Sequence, residues 1–202
     1  MVSRSAARTG ELCYLLRRLT TIPAIHAVDD LLTRLRIDHL FAGNVARAAW
    51  LGGDAGGGSV DVIALLKPEQ MNQVATMAAN RGFVVDREEL ERCEELDLIP
   101  LTFGGVRVHV LVASNALYGS MFANARETSI EGVTVKVPSP EDAALLLALA
   151  EDEVGVRAMT SRADFDRAAY DRKMSAIGLR VIQSRGDGEG SPEAGASSLR
   201  SE

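Results

Sequence analysis

The chain has 202 residues, 47% hydrophobic and 25% charged, with a net charge of -6. This composition fits one globular domain, with or without a helical appendage, and excludes a general electrostatic pull toward nucleic acid. Cys13 and Cys93 are too few and too far apart for a disulfide framework or a zinc site, which suits a reducing cytoplasm. No apolar run is long enough to span a bilayer, and MVSRSAARTG lacks the apolar core of a signal peptide.

Residues 1–10 read as a loose arm. Leu12, Leu15, Leu16 and Leu19 then repeat with helical spacing, and Ile25, Val28, Leu31, Leu32, Leu35 and Ile37 continue the pattern after Pro23. Two helices, or one bent at the proline, are expected to pack against the domain. Cys13 and Tyr14 read as packing residues. His26 has no partner at metal spacing and reads as a helix-surface or half-buried residue.

The stretch from His39 to Leu66 is the one around which the rest is organised. Leu40, Phe41 and Ala42 predict a short buried strand, and Gly43-Asn44 a turn pair able to adopt backbone angles that other residues avoid. Val45, Ala46, Ala49 and Trp50 then repeat as a helix does, with Arg47 outward. Five glycines between Gly52 and Gly58 end that helix in a loop. They are not followed by Lys-Ser/Thr and do not fit a dinucleotide fingerprint, so a flexible linker is the plainer reading than a phosphate cradle. Val60 to Leu66 reads as a strand covered on both faces, with Asp61 its one charge. A carboxylate there is costly unless paired, metal-bound or at the strand's open end.

Downstream, Pro68 suits an early helix position and Met71, Val74, Met77 and Ala78 give one apolar face up to Gly82. Phe83 to Val85 predicts a short strand, and Arg87 to Glu95 a helix whose charges face water. Leu98 to Phe103 and Val106 to Val112 read as two strands joined by Gly104-Gly105, a hairpin signal. Arg107, His109 and Leu111 share one face of the second. A helical segment is expected from Ala116 to Arg126, a hairpin-like pair from Ile130 to Val137, and a helix through Ala150 capped by Ser139, its leucines and alanines apolar nearly all round. Ser161 to Met174 predicts a last helix with Phe165, Ala168, Ala169 and Tyr170 inward. Everything after Gln183 is expected to be disordered. Cys93 stands among acids that disfavour a thiolate, and nothing suggests Ser-His-Asp or Cys-His catalysis.

In order and length, residues 38–175 resemble the nucleotidyltransferase superfamily, in the branch of the abortive-infection toxin-like (AbiEii-like) proteins. There a first strand ends in Gly-Gly-x-Ala and opens a helix, and a second strand reads Arg-x-Thr-x-Asp-x-Asp. Gly43-Asn44-Val45-Ala46 takes the place of the first motif; Gly57, Ser59, Asp61 and Ile63 take the places of the Arg, the Thr and the two Asp. The likeness continues through Gly82 to Val85, VRVHVLVAS and GVTVKVPSPEDAALLLALA. A third Asp would fall at His109, and a frequently basic position at Leu147.

The resemblance implies an α/β (α+β) nucleotidyltransferase-like fold, a mixed β-sheet flanked by helices. Residues 1–37 would be an N-terminal arm and helices, 38–182 the domain with C-terminal helices, and 183–202 a tail. In such a site two divalent ions, magnesium or manganese, activate the attacking oxygen and neutralise a nucleoside triphosphate, held by carboxylates at i and i+2 and a third from a neighbouring strand. Here that face offers Asp61, Ile63 and His109, and Ile63 cannot ligate a cation. Asp61 and His109 are therefore a remnant site that pairs by a hydrogen bond, holds zinc or manganese weakly, or makes no contact. Gly43, Asn44 and Ser59 are where a nucleotide's phosphates would sit.

Three functions follow. The first is a degenerate, non-catalytic domain that binds a nucleotide or a protein partner. The second is an active, metal-dependent nucleotidyltransferase with a displaced metal site, transferring to RNA or protein as the toxin-like proteins do. The third is a structural or regulatory subunit without ligand. An acid such as Asp54 or Glu141 reaching Asp61 would favour the second.

Overall fold

The computed structural model describes residues 21–53, 55, 58–114 and 116–177. Two of its strands set the frame. β2 (Ser59–Ala64) and β4 (Val106–Val112) run parallel at the centre of a four-stranded sheet. β1 (His39–Phe41) pairs antiparallel with β2, and β3 (Leu98–Phe103) antiparallel with β4, giving the order β1-β2-β4-β3. Alternation dictates the faces: Val60 and Val62 with Val106, Val108, Val110 and Val112 are buried, while Ser59, Asp61, Arg107 and His109 alternate with them. Gly104 and Gly105, at φ +56 and +82, make the β3–β4 turn that the strand twist requires.

Helices close the frame. The first, α1, runs through residues 21–34, with Ile25, Val28, Leu31 and Leu32 wholly buried in the core. α2 (Gly43–Leu51) leaves β1 directly and packs on β2. After a 3-10 turn at Pro68–Gln70, α3 (Met71–Ala79) buries Met71, Val74, Ala75 and Ala78. α4 (Arg87–Glu94) starts at Asp86, whose carboxylate accepts from the amides of Glu88 and Glu89. α5 (Ala116–Ala123) leads to a separate hairpin of β5 (Arg126–Ile130) and β6 (Val133–Val137), with β6 lying against β1. α6 (Pro140–Leu149), α7 (Glu153–Thr160) and α8 (Arg167–Ala176) finish the domain.

Two polar anchors fix this last part. Trp50, at the end of α2, donates from Nε1 to the Pro138 carbonyl at 2.9 Å, while the Arg162 guanidinium stacks 5.3 Å from its ring and donates to its carbonyl. Arg162 also grips Asp164 at 2.9 Å and holds its carboxyl below the usual range. Asp142, fully buried at the start of α6, accepts from Lys173 of α8 and from Ser139 Oγ at 3.1 Å.

The expected sheet neighbours, residues 40–42, 60–66 and 106–112, do fall in adjacent segments of one sheet. Four local expectations are corrected. Phe83 to Val85 is no strand but a single bridge, Val84 to Thr102, because Gly82 at φ +85 turns the chain sharply onto it. The segment from Ala116 is helical only to Ala123: Asn124 folds its amide back onto the Ser120 carbonyl at 3.0 Å, and residues from Arg126 pair with β6 instead. The helix expected over Ser161 to Met174 starts only at Arg167, where Asp166 caps it by accepting from the Ala169 amide, and a separate helix capped by Asp152 ends before Ser161; Ala168 is exposed, while Tyr170 and Met174 are buried. Leu149 is also exposed, so α6 is not covered all round. The expectations for residues 1–20, for Asp54, for Gly56 and Gly57, and for the chain after Ile177 lie outside the described residues.

Removing Lys173 would leave the Asp142 carboxylate buried without its cation. Lys173→Met is expected to lower the unfolding free energy by about 2 kcal/mol or more, and the double variant with Asp142→Asn to recover part of that loss, both read by urea denaturation.

Candidate functional site

Asp61 is the third residue of β2, and the parallel register places it directly beside His109 of β4. Their side chains meet: His109 Nδ1 lies 2.9 Å from Asp61 Oδ1. A carboxylate only accepts, so Nδ1 donates, and the neutral ring then carries its lone pair on Nε2. Ser59, two residues before Asp61 on the same face, donates from Oγ to the same Oδ1 at 3.0 Å. One oxygen of the carboxylate is thus committed to two donors.

The other oxygen explains the turn at the head of α2. Gly43 has φ +53, and a Cβ there would lie 2.2 Å from Asp61 Oδ2, so both the backbone angle and the space require glycine. The strand end is tied down as well, by the Ala42 amide donating to the Asp61 carbonyl at 2.8 Å. α2 has no side-chain cap and no acid in its first turn, so the Asp61 carboxylate lies at the helix's positive end without a local competitor.

This corner opens into a cleft of about 290 Å³ between the sheet and helices α5 and α6. Its walls are chiefly apolar: Ile63, Leu98 and Leu111 from the strands, and Leu146 and Leu147 from α6. No lysine or arginine is among the described residues that line it. Asp61 and His109 keep 25% and 31% of their side-chain surface, enough to meet a ligand. Arg107, beside Ser59 in the register, is exposed and outside the lining.

A pair of divalent ions does not fit these residues. Ile63 stands at i+2 on the Asp61 face, and Asp61 Oδ1 already serves two donors. Among the described residues no group of three His, Cys, Asp or Glu could hold a metal ion. Glu141 does not reach Asp61; its carboxylate accepts from the Asp166 amide at 2.9 Å, at the start of α8. Between Asp61 and His109 a chelated cation would have to displace the Nδ1 proton.

Of the residues proposed from sequence, the structure joins Asp61, His109, Ser59 and Gly43 in one contact network. Asn44 is half-buried in the first turn of α2 and is not part of the cleft lining. His26 is exposed on α1.

No protein-family model matches the sequence, and no curated protein does either. Solved structures do match. A crystal structure of ANT(2″)-Ia in complex with adenylyl-2″-tobramycin superposes with a TM-score of 0.54 at 13% identity, covering 78% of this chain and 97% of that one. The solution structure of ANT(2″)-Ia, an antibiotic-resistance factor, gives 0.50 at 16% identity, over 80% of this chain and 86% of that one. The chain has a nucleotidyltransferase fold. The lincosamide antibiotic adenylyltransferase LnuA, lincomycin-bound, is similar at a TM-score of 0.49 and 11% identity, covering 68% of this chain and 94% of that one.

Within that fold, sequence reasoning missed the helical wall of the cleft, including Tyr118 and Leu146. Leu147 was marked only by comparison with a basic position, and Leu111 by its place on the His109 face. Nothing in the spacing of α5 or α6 announces which turn faces the sheet.

Gly43→Ala is expected to push Asp61 away from His109 and to cost about 1–3 kcal/mol in stability. Thermal unfolding and the His109 ring ¹⁵N shifts check this together; unchanged ring shifts would contradict the packing described.

Proposed function

We propose that this chain is a nucleotidyltransferase-fold protein kept for binding a small molecule in the Asp61 cleft, without metal-assisted nucleotidyl transfer. The observation that carries the reading is the state of the one carboxylate in that cleft. Asp61 Oδ1 accepts from His109 Nδ1 and Ser59 Oγ, and the neighbouring position that an acid would need is Ile63. Fold and chemistry are separable, and here the apolar frame is whole while the ligand set for two divalent ions is not.

A nucleotide is the ligand the fold leads one to test first, and Gly43, Asn44 and Ser59 are the positions at which the sequence resemblance would put its phosphates. The order of motifs in the sequence supports placement near the AbiEii-like branch, in which a toxin-like transferase or a partner protein would be the functional setting. Trp50, Arg162 and the Asp142–Lys173 pair hold α6 over the cleft by contacts that do not involve Asp61. The cleft can therefore persist without any role in transfer.

The test incubates the protein with each labelled nucleoside triphosphate, magnesium or manganese, and RNA or protein acceptors. No transfer is expected. Label transfer that disappears in Asp61→Ala would install the active, metal-dependent reading instead. Should a nucleotide bind without transfer, Asn44→Asp and Ser59→Ala are each expected to weaken it about tenfold.

A further inference from the structure

We infer that the Asp61 cleft selects a small amphiphile with a protonated amine head and an apolar body, in preference to a phosphate-bearing ligand. The inference rests on the cleft being a ligand site, as proposed above, and adds the chemical class of the ligand.

The first support is charge. In the lining of the cleft the groups that can carry charge at neutral pH are Asp61 and His109, and neither lysine nor arginine faces them among the described lining residues. With a neutral His109 ring donating from Nδ1 to the Asp61 carboxylate, the pair carries one negative charge. Leu98, Leu111, Leu146 and Leu147 surround it with apolar surface, where a charge interacts far more strongly than in water. A cation entering there gains that interaction. A phosphate meets repulsion, and the residues do not supply a pair of metal ions to reverse the sign. The positive end of α2, the other attraction for an anion, already has the Asp61 carboxylate against Gly43. Arg107 is the nearest cation in the strand register, but it is exposed and two residues along β4 from His109, roughly 7 Å at strand rise.

The second support is hydrogen-bond geometry. Nδ1 is spent on Asp61, and Nε2 has no partner among the described residues. In the neutral ring Nε2 accepts, so the complementary head group is a donor: an ammonium N–H, or with less charge benefit a hydroxyl. The third is size and polarity. At about 290 Å³ the cleft is at the lower end of small-molecule pockets. A single head group at Asp61 leaves the rest of a ligand against leucine and isoleucine side chains, where burial of a hydrocarbon body contributes roughly 25 cal/mol per Å².

The experiment compares octylamine, 1-octanol and octyl phosphate on the full chain. Binding is followed by calorimetry and by the methyl resonances of Ile63, Leu98 and Leu111. Octylamine is expected to bind saturably and at least about tenfold more tightly than octyl phosphate, with octanol between them. Asp61→Asn is expected to remove the preference for amine over alcohol, and His109→Gln to weaken both. The ranking on the unaltered chain stands even if a variant fails to fold.

Octyl phosphate binding as tightly as octylamine, or losing affinity in Arg107→Ala while octylamine does not bind, would overturn the inference and leave the cleft as a ligand site. Amine binding that shifts methyls elsewhere, or is unchanged in folded Asp61→Asn, would also overturn it. If none of the three compounds shifts a cleft methyl, and no nucleotide does, the proposed binding function fails along with the inference.

Discussion

A carboxylate set between buried valines at the centre of the sheet is the constraint on which this structure turns. Asp61 lies in β2 between Val60 and Val62, both fully buried, and it is kept there by donors from two directions. Ser59 reaches it along its own strand and His109 across the parallel pairing, while Gly43 yields the space its second oxygen occupies. An unpaired carboxylate in such a place would cost several kcal/mol. Satisfied in this way it is tolerable, and the register of β2 against β4 becomes costly to change. A one-residue slip of β2 would turn Asp61 onto the buried valine face, away from His109.

The same arrangement governs the chemistry. A carboxylate oxygen used by a histidine and a serine is a hydrogen-bonding centre, and the apolar side chain of Ile63 beside it cannot extend it into a metal cage. What remains is a corner with one carboxylate, one imidazole, and a leucine-rich wall shared by β3, β4 and α6. The wall is held by groups remote from that corner. Trp50 bridges α2 to the segment before α6, Arg162 covers Trp50, and Lys173 neutralises Asp142 at the start of α6.

The frame was legible in the sequence because it is written in period-two alternation and glycine punctuation. VRVHVLV separates into its two faces on inspection, and Gly104-Gly105 marks the hairpin. The Asp61–His109 contact could be anticipated once both strands were placed on one sheet, since the matching position in the resembling family holds a third acid. The breaks around residues 123–126 and 161–166 were not legible. They depend on side chains that cap or fold back locally, Asn124 and Asp166, in segments whose apolar spacing suits a longer helix. The helical wall was hidden for another reason. α6 is apolar on most of its surface, so periodicity cannot say which leucines face the sheet, and only packing against α2, α7 and α8 decides.

Asp61 is a hydrogen-bonded carboxylate with no second acid at i+2 to complete a divalent-metal cage. The most direct measurement is a manganese titration of the full chain, alone and with a nucleoside triphosphate, observing paramagnetic broadening of the His109 ring and the Ile63 methyl signals. No selective broadening is expected at either residue, and the His109 Nδ1 proton should stay hydrogen-bonded to Asp61 throughout. Saturable broadening centred on His109 and Ile63, abolished in Asp61→Asn, would contradict it.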